Sequence, residues 1–139
     1  MEERDLRFWF GNTYRGVKFI EPTFGSSVGL PDTEVTVDQK VLPIELKIGS
    51  LRGANLIVKL RPSQMRYHIM EAEQNCPTAV MAAVGERTKF DVMIFAGKYL
   101  ESGDYRDSYF IVAEDMRFDQ KIDEMRLTEV FRLVMGQYA

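Results

Sequence analysis

Between residues 31 and 48 apolar and polar side chains alternate with a period of two, the mark of strands that bury one face only. The β-branched stretches 32–37 and 41–48 flank Asp38-Gln39-Lys40 and predict a hairpin. With Gln39 and Lys40 as a two-residue loop, Asp38 pairs with Val41, Thr36 with Pro43, Glu34 with Glu45 and Asp32 with Lys47. That register collects Asp32, Glu34, Glu45 and Lys47 on one face. It leaves Val35, Val37, Leu42, Ile44, Leu46 and Ile48 as a continuous apolar face on the other.

Helical spacing appears at both ends of the chain. Leu6, Trp9 and Phe10 predict a short amphipathic helix over residues 2–10, stopped by Gly11-Asn12. Residues 17–21 predict a strand, and Pro22 with Gly25-Ser26-Ser27-Val28-Gly29 predicts a flexible loop. A second helix is expected from about 63 to 75, with Ser63 as N-cap and Met65, Ile69, Ala72 and Cys76 as its apolar stripe. Leu56-Ile57-Val58 reads as an extra strand or a substrate-contacting flap. Further strands are expected at 78–84, 90–96 and 108–113. A terminal helix near 120–135 sets Leu127, Val130, Phe131 and Val134 on one stripe, suited to closing the core or joining two subunits. The order indicates α/β or α+β architecture around a central sheet.

Length and composition narrow this picture. At 139 residues with 45% apolar side chains, the chain suits one domain with one proper core. No apolar run approaches the ~20 residues of a membrane span. The acidic start Met1-Glu2-Glu3-Arg4-Asp5 lacks the basic flank of a signal peptide, so the expectation is a cytoplasmic protein without membrane association. One cysteine, Cys76, is expected as a small buried hydrophobe, and with a single histidine the chain cannot build a zinc site from nitrogen and sulfur alone. Any metal must therefore be held mainly by oxygen. The net charge of −3 weighs against nucleic-acid binding, but it is unevenly spread. Residues 44–66 carry five basic side chains (Lys47, Arg52, Lys59, Arg61, Arg66) against Glu45, whereas residues 101–139 carry nine acids against five bases. A cationic middle of this kind can face phosphate, with Arg52, Lys59, Arg61 and Arg66 as candidate contacts.

Hydrolysis of a phosphodiester requires neutralising the phosphoryl charge, activating a water and stabilising the leaving oxygen. Two carboxylates and a lysine on one face meet most of that demand. Asp32 and Glu45 suit magnesium, a hard cation taking oxygen ligands, with the Leu46 carbonyl as a further donor and manganese as a substitute. In the expected register the two acids are diagonal, at roughly 7 Å. Lys47 would orient the attacking water. A strand with an acid and a lysine two apart is also ordinary surface decoration, and Glu34 reads equally as a solvated charge. His68 reads as a surface or packing residue, Gly25 to Gly29 lacks the ending of a P-loop, and Phe8, Trp9 and Phe10 read as packing aromatics.

The stretch Pro31-Asp32, twelve residues, then Glu45-Leu46-Lys47 resembles the signature of the PD-(D/E)XK nuclease superfamily, and within it the VRR-NUC group and related Holliday junction resolvases. The resemblance covers roughly residues 2–84. It implies a restriction-endonuclease-like α/β core (α-β-β-β-α-β). We assign that core to about residues 2–96 of a single 1–139 nuclease domain, with residues 97–139 as a C-terminal β plus helix extension. It further implies that a first-helix glutamate, Glu3 or Glu2, joins the metal site and that Gln64 approaches it. Three functions follow as expectations. The first is a magnesium-dependent, structure-specific endodeoxyribonuclease acting on branched or nicked DNA as a homodimer. The second is a site-specific homing or restriction endonuclease of a phage or mobile element, in the cytoplasm of a phage-infected bacterial cell. The third is a catalytically inactive DNA-binding or assembly protein.

Overall fold

The structure, a computed structural model, describes residues 1–20, 29–101 and 108–138. It is an α/β fold with three α-helices and a mixed sheet of six strands. The elements run α1 (Glu3–Thr13), β1 (Val17–Phe19), β2 (Thr33–Val37), β3 (Lys40–Ile48), β4 (Ser50–Arg52), β5 (Asn55–Ile57), α2 (Pro62–Glu73), β6 (Ala79–Glu86), β7 (Lys89–Ala96), a 3-10 turn (Gly97–Leu100), β8 (Tyr109–Met116) and α3 (Glu124–Gly136). The main sheet has the order β1-β2-β3-β6-β7-β8, with β3 and β6 parallel and every other pair antiparallel. A parallel pair needs a long crossover, here the β4-β5 hairpin followed by α2. Leu56 and Ile57 therefore lie on a strand of a two-stranded ribbon apart from the main sheet. Residues 25–28 of the expected glycine-serine loop lie outside the described residues.

The hairpin forms, but its register differs from the expected one. Val37 pairs with Lys40, Thr36 with Val41, Val35 with Leu42, Glu34 with Pro43 and Thr33 with Ile44, so the loop is Asp38-Gln39. Both loop residues have positive φ, 52° and 67°, the conformation of a primed two-residue turn that aspartate tolerates better than most residues. Arg132 on α3 then clamps the turn, its Nε and one terminal nitrogen each donating at 2.9 Å to the two oxygens of Asp38. This bidentate pair holds the Asp38 carboxyl below its ordinary range. The shift from expectation is two residues, an even number, so each side chain keeps its face.

The two faces build two cores. Val35, Val37, Leu42, Ile44 and Leu46 pack with Leu6, Trp9 and Phe10 of α1 and with Leu127, Val130, Phe131 and Val134 of α3. Val80, Ala82, Met93 and Phe95 pack on the opposite side with Leu56 and Leu100. The terminal helix thus closes the main core, the first of the two roles expected of it, so the C-terminal β plus helix extension packs as part of that core. Phe131 is fully buried and meets Phe10 and Tyr14 edge-on at 6.0 and 5.2 Å.

α2 also corrects an expectation. Its cap is Arg61, not Ser63, and its buried residues are Gln64 and His68, while Met65, Ile69, Ala72 and Cys76 are only partly covered. His68 Nδ1 bonds the Thr78 hydroxyl at 2.7 Å, and burial holds the imidazole down to about 4, hence neutral. Gly97 is required beside this pair, because a Cβ there would lie 2.1 Å from Thr78 Oγ1.

Because α3 is integral, Phe131→Ala should lower unfolding free energy by about 3–5 kcal/mol in chemical denaturation, as expected for an aromatic lost from a packed core. A chain ending before residue 124 should lack a cooperative transition. A cooperative transition in that truncation, with unchanged stability, would show that the core does not need the extension.

Candidate active site

β3 supplies the two central groups. Strand alternation places Glu45 and Lys47 on the face opposite the main core, flanked by β2 on one side and by Val80 and Ala82 of β6 on the other. Glu45 is 5% exposed and its Oε1 is buried without a hydrogen-bond partner. Desolvation raises its carboxyl from 4.5 to about 7, partly opposed by the nearby Lys47 and Arg61 cations and reinforced by the Glu3 anion. Lys47 has a side chain 12% exposed, and its Nζ lies 3.5 Å from Glu3 on α1. A half-neutral acid beside an ammonium group is therefore held at the C-terminal part of β3.

Asp32 precedes β2. Continuing the observed ladder by one step sets it across from Glu45, not diagonal as the expected register had it, since Thr33 already pairs with Ile44. Its carboxylate pairs with the Arg7 guanidinium and accepts the Thr33 hydroxyl at 3.1 Å. Gly29, at φ +84°, fixes the approach to this residue: a Cβ there would sit 2.4 Å from the Ser63 carbonyl oxygen, so only glycine lets this segment lie against the first turn of α2. Glu3 and Arg7 are four apart on α1 and lie on one helical face. One helix thus reaches Lys47 with its acid and Asp32 with its base.

The remaining expected site residues divide. Glu2 is the N-cap of α1 and its carboxylate pairs with Arg4 at 2.8 Å. Gln64 is buried, and its side-chain oxygen accepts the Arg61 backbone N–H at 2.9 Å, so it caps its own helix. Glu34 lies 3.9 Å from Lys18 and faces α2, where its charge helps raise the Tyr67 hydroxyl to about 12, behind burial and the Glu71 and Cys76 charges. Arg52, Lys59, Arg61 and Arg66 are all exposed, and of these Arg61 also acts on Glu45 through its charge. Arg7 was not anticipated from the sequence, although its spacing from Glu3 carried the signal.

The donor type present here, carboxylate and carbonyl oxygen, is the one a divalent cation such as magnesium takes. Among the described residues no three histidine, cysteine, aspartate or glutamate side chains converge into a ready-made cage. Magnesium is commonly held by one or two carboxylates with water and substrate phosphate completing the shell. The buried, unpartnered Glu45 Oε1 is an oxygen of the required kind. Among the described residues no helix is long and apolar enough to cross a membrane. Comparison with protein-family models, with curated proteins and with solved structures returns no match for this chain.

The raised carboxyl has a measurable consequence. The folded protein keeps the Glu45 proton up to about 7, whereas the unfolded chain loses it near 4.5. Between those values the folded state binds more protons, so stability falls as pH rises, by up to about 3 kcal/mol for this group. In metal-free buffer Glu45→Gln should match wild type near pH 4 and exceed it above pH 7. Parallel stability curves across pH 4–8 would show that Glu45 is not desolvated.

Proposed function

We propose that this chain is a magnesium-dependent endodeoxyribonuclease of the PD-(D/E)XK type, hydrolysing phosphodiester bonds with Asp32, Glu45 and Lys47. The observation that carries the reading is the pairing, two residues apart on one strand, of a buried carboxylate with an unpartnered oxygen and a largely buried lysine. The element order lends support: a helix, three antiparallel strands, the β4-β5 hairpin, a helix, and a strand parallel to the third, so that the order the resemblance implies is met only if that hairpin is taken as an insertion.

The chemistry divides among the chain's own groups. Lys47 is short of water and offers N–H donors to the attacking water or to a phosphoryl oxygen, where charge develops in the transition state. Glu45 holds its proton up to about 7 while no cation is bound, and a cation would take that proton's place on its carboxylate. Asp32, Glu45 and the Leu46 carbonyl would hold the magnesium ion, with Glu3 as a further carboxylate; bound there, the ion supplies Lewis-acid neutralisation of phosphoryl charge. Arg7 and Glu3 pair with Asp32 and Lys47 and hold them in place until substrate arrives. Cutting both strands calls for two sites, so the reading includes a homodimer.

Purified protein should cut a panel of duplex, nicked and four-way-junction DNA only when magnesium or manganese is added. Lys47→Ala and Glu45→Gln should each reduce the rate by about 100-fold or more, the usual loss for a group acting in the transition state. Equal rates for wild type and Lys47→Ala would defeat the proposal. One defined cut position in a long DNA would favour the site-specific alternative. Salt-sensitive binding with no cutting and no heat of magnesium binding would favour the inactive one.

A further inference from the structure

Arg4, Arg7, Phe8, Gly11, Asn12 and Phe19 line an open groove of about 340 Å³ between α1 and β1. That volume lies at the lower end of the range for small-molecule and nucleotide-sized sites. Its aromatic walls are unusually open, with Phe8 56% and Phe19 37% exposed, although neighbouring Trp9 and Phe10 are buried. Openness here is not looseness. Phe8 stacks on Phe118 at 5.1 Å with an interplanar angle of 17°, and the Arg87 guanidinium lies 4.3 Å over the Phe118 ring. The Phe19 ring lies close against α1, where a Cβ on Gly11 would meet it at 3.0 Å, and Arg7 sits 5.3 Å above it.

Two ordered π surfaces flanked by two guanidinium groups suit one kind of occupant. A base stacks on an aromatic ring whatever its identity, and the phosphate beside it is attracted to arginine. Arg4 pairs with Glu2, but both side chains are largely exposed, 83% and 66%, so a phosphate can replace that carboxylate with little loss. Arg7 contacts both Phe19 and Asp32, so one side chain links the groove wall to the candidate active site. A purely apolar partner would make no use of either guanidinium group.

We propose that this groove binds unpaired nucleotides of the DNA strand being cut, so that the enzyme acts where duplex gives way to single strand. The proposal names the substrate of the site assigned above and rests on that reading for its catalytic part. An unpaired strand brings exposed bases to Phe8 and Phe19 and phosphates to Arg4 and Arg7. A blunt duplex offers phosphates but keeps its bases stacked inside.

The test is fluorescence anisotropy in metal-free buffer with a labelled twelve-nucleotide oligo-dT and a labelled blunt duplex of two separate strands. Phe8→Ala and Phe19→Ala should each weaken oligo-dT binding by about tenfold or more, in line with the loss of one stacked base. They should leave binding of the blunt two-strand duplex within about twofold, and Phe8→Tyr should bind oligo-dT like wild type, because it keeps the ring. Unchanged circular dichroism and melting would show that the exposed positions tolerate the changes. Oligo-dT binding unaffected by either alanine overturns the proposal, as does concentration-dependent self-association abolished by Phe8→Ala, which would assign the groove to a second copy. Magnesium-dependent cutting of forked and blunt duplexes separates the two readings. Equal rates on both substrates, with oligo-dT binding insensitive to the rings, defeat the groove alone. No cutting, with ring-dependent oligo-dT binding, defeats the nuclease and leaves the groove as a strand-binding site.

Discussion

A carboxylate buried inside a sheet is the constraint around which this molecule is arranged. Glu45 lies on a strand bordered on both sides, by β2 and by β6, with apolar Val80 and Ala82 as neighbours and no hydrogen-bond donor on Oε1. Water would satisfy that oxygen, and the fold keeps water away. Such a group is costly unless a proton or a cation meets it, which is why its carboxyl titrates near neutrality. The surrounding apolar material makes the cost tolerable. Both faces of the sheet carry their own core, and α3 adds four fully buried side chains to the larger one. Stability gathered elsewhere in the chain thus offsets the cost of an unpartnered polar group at one place.

The site has a rigid part and a replaceable part. Glu45 and Lys47 are fixed by strand pairing and by burial. Asp32, Arg7 and Glu3 are tied instead by ion pairs whose side chains are roughly half exposed, 41%, 43% and 56%. Contacts of that kind contribute about 0–1 kcal/mol and exchange partners easily. α1 keeps their geometry without depending on them, because Leu6, Trp9 and Phe10 anchor the helix in the core. A phosphate or a cation entering the site can therefore take over Arg7 or Asp32 while the helix stays where it is.

Alternation between residues 33 and 48 carried the face assignment correctly, because a period of two survives any even shift of register. The register itself was not legible. It depends on where the turn falls, and the turn is settled by Asp38 accepting a left-handed conformation while Arg132 grips it from the other end of the chain. α2 failed for a related reason. Apolar spacing favoured Met65, Ile69 and Ala72 as the buried stripe, yet the sheet presents Thr78 and the close approach at Gly97 to that helix, and His68 answers them. The candidate pair Glu45 and Lys47 was readable from two residues of one strand. The partners Arg7 and Glu3 required knowing that α1 crosses near both Asp32 and Lys47.

The net charge of −3 weighs less against the proposed DNA substrate once charges are counted as pairs. Arg4 is matched with Glu2, Arg7 with Asp32 and Arg87 with Asp5, so the basic groups near the groove are locally neutralised. Each pair is at least partly exposed to solvent, so the carboxylate can be exchanged for a phosphate without desolvating a new charge. The electrostatic gain per contact is then a difference between two anions for one guanidinium, smaller than that of a bare cation releasing condensed ions. Affinity built this way relies on stacking and shape for the remainder, and Phe8 and Phe19 supply surfaces of that kind. Net charge and the proposed binding mode are thus linked: a chain of charge −3 would gain little by gripping a duplex backbone along its length, and more by holding a few nucleotides against exposed rings.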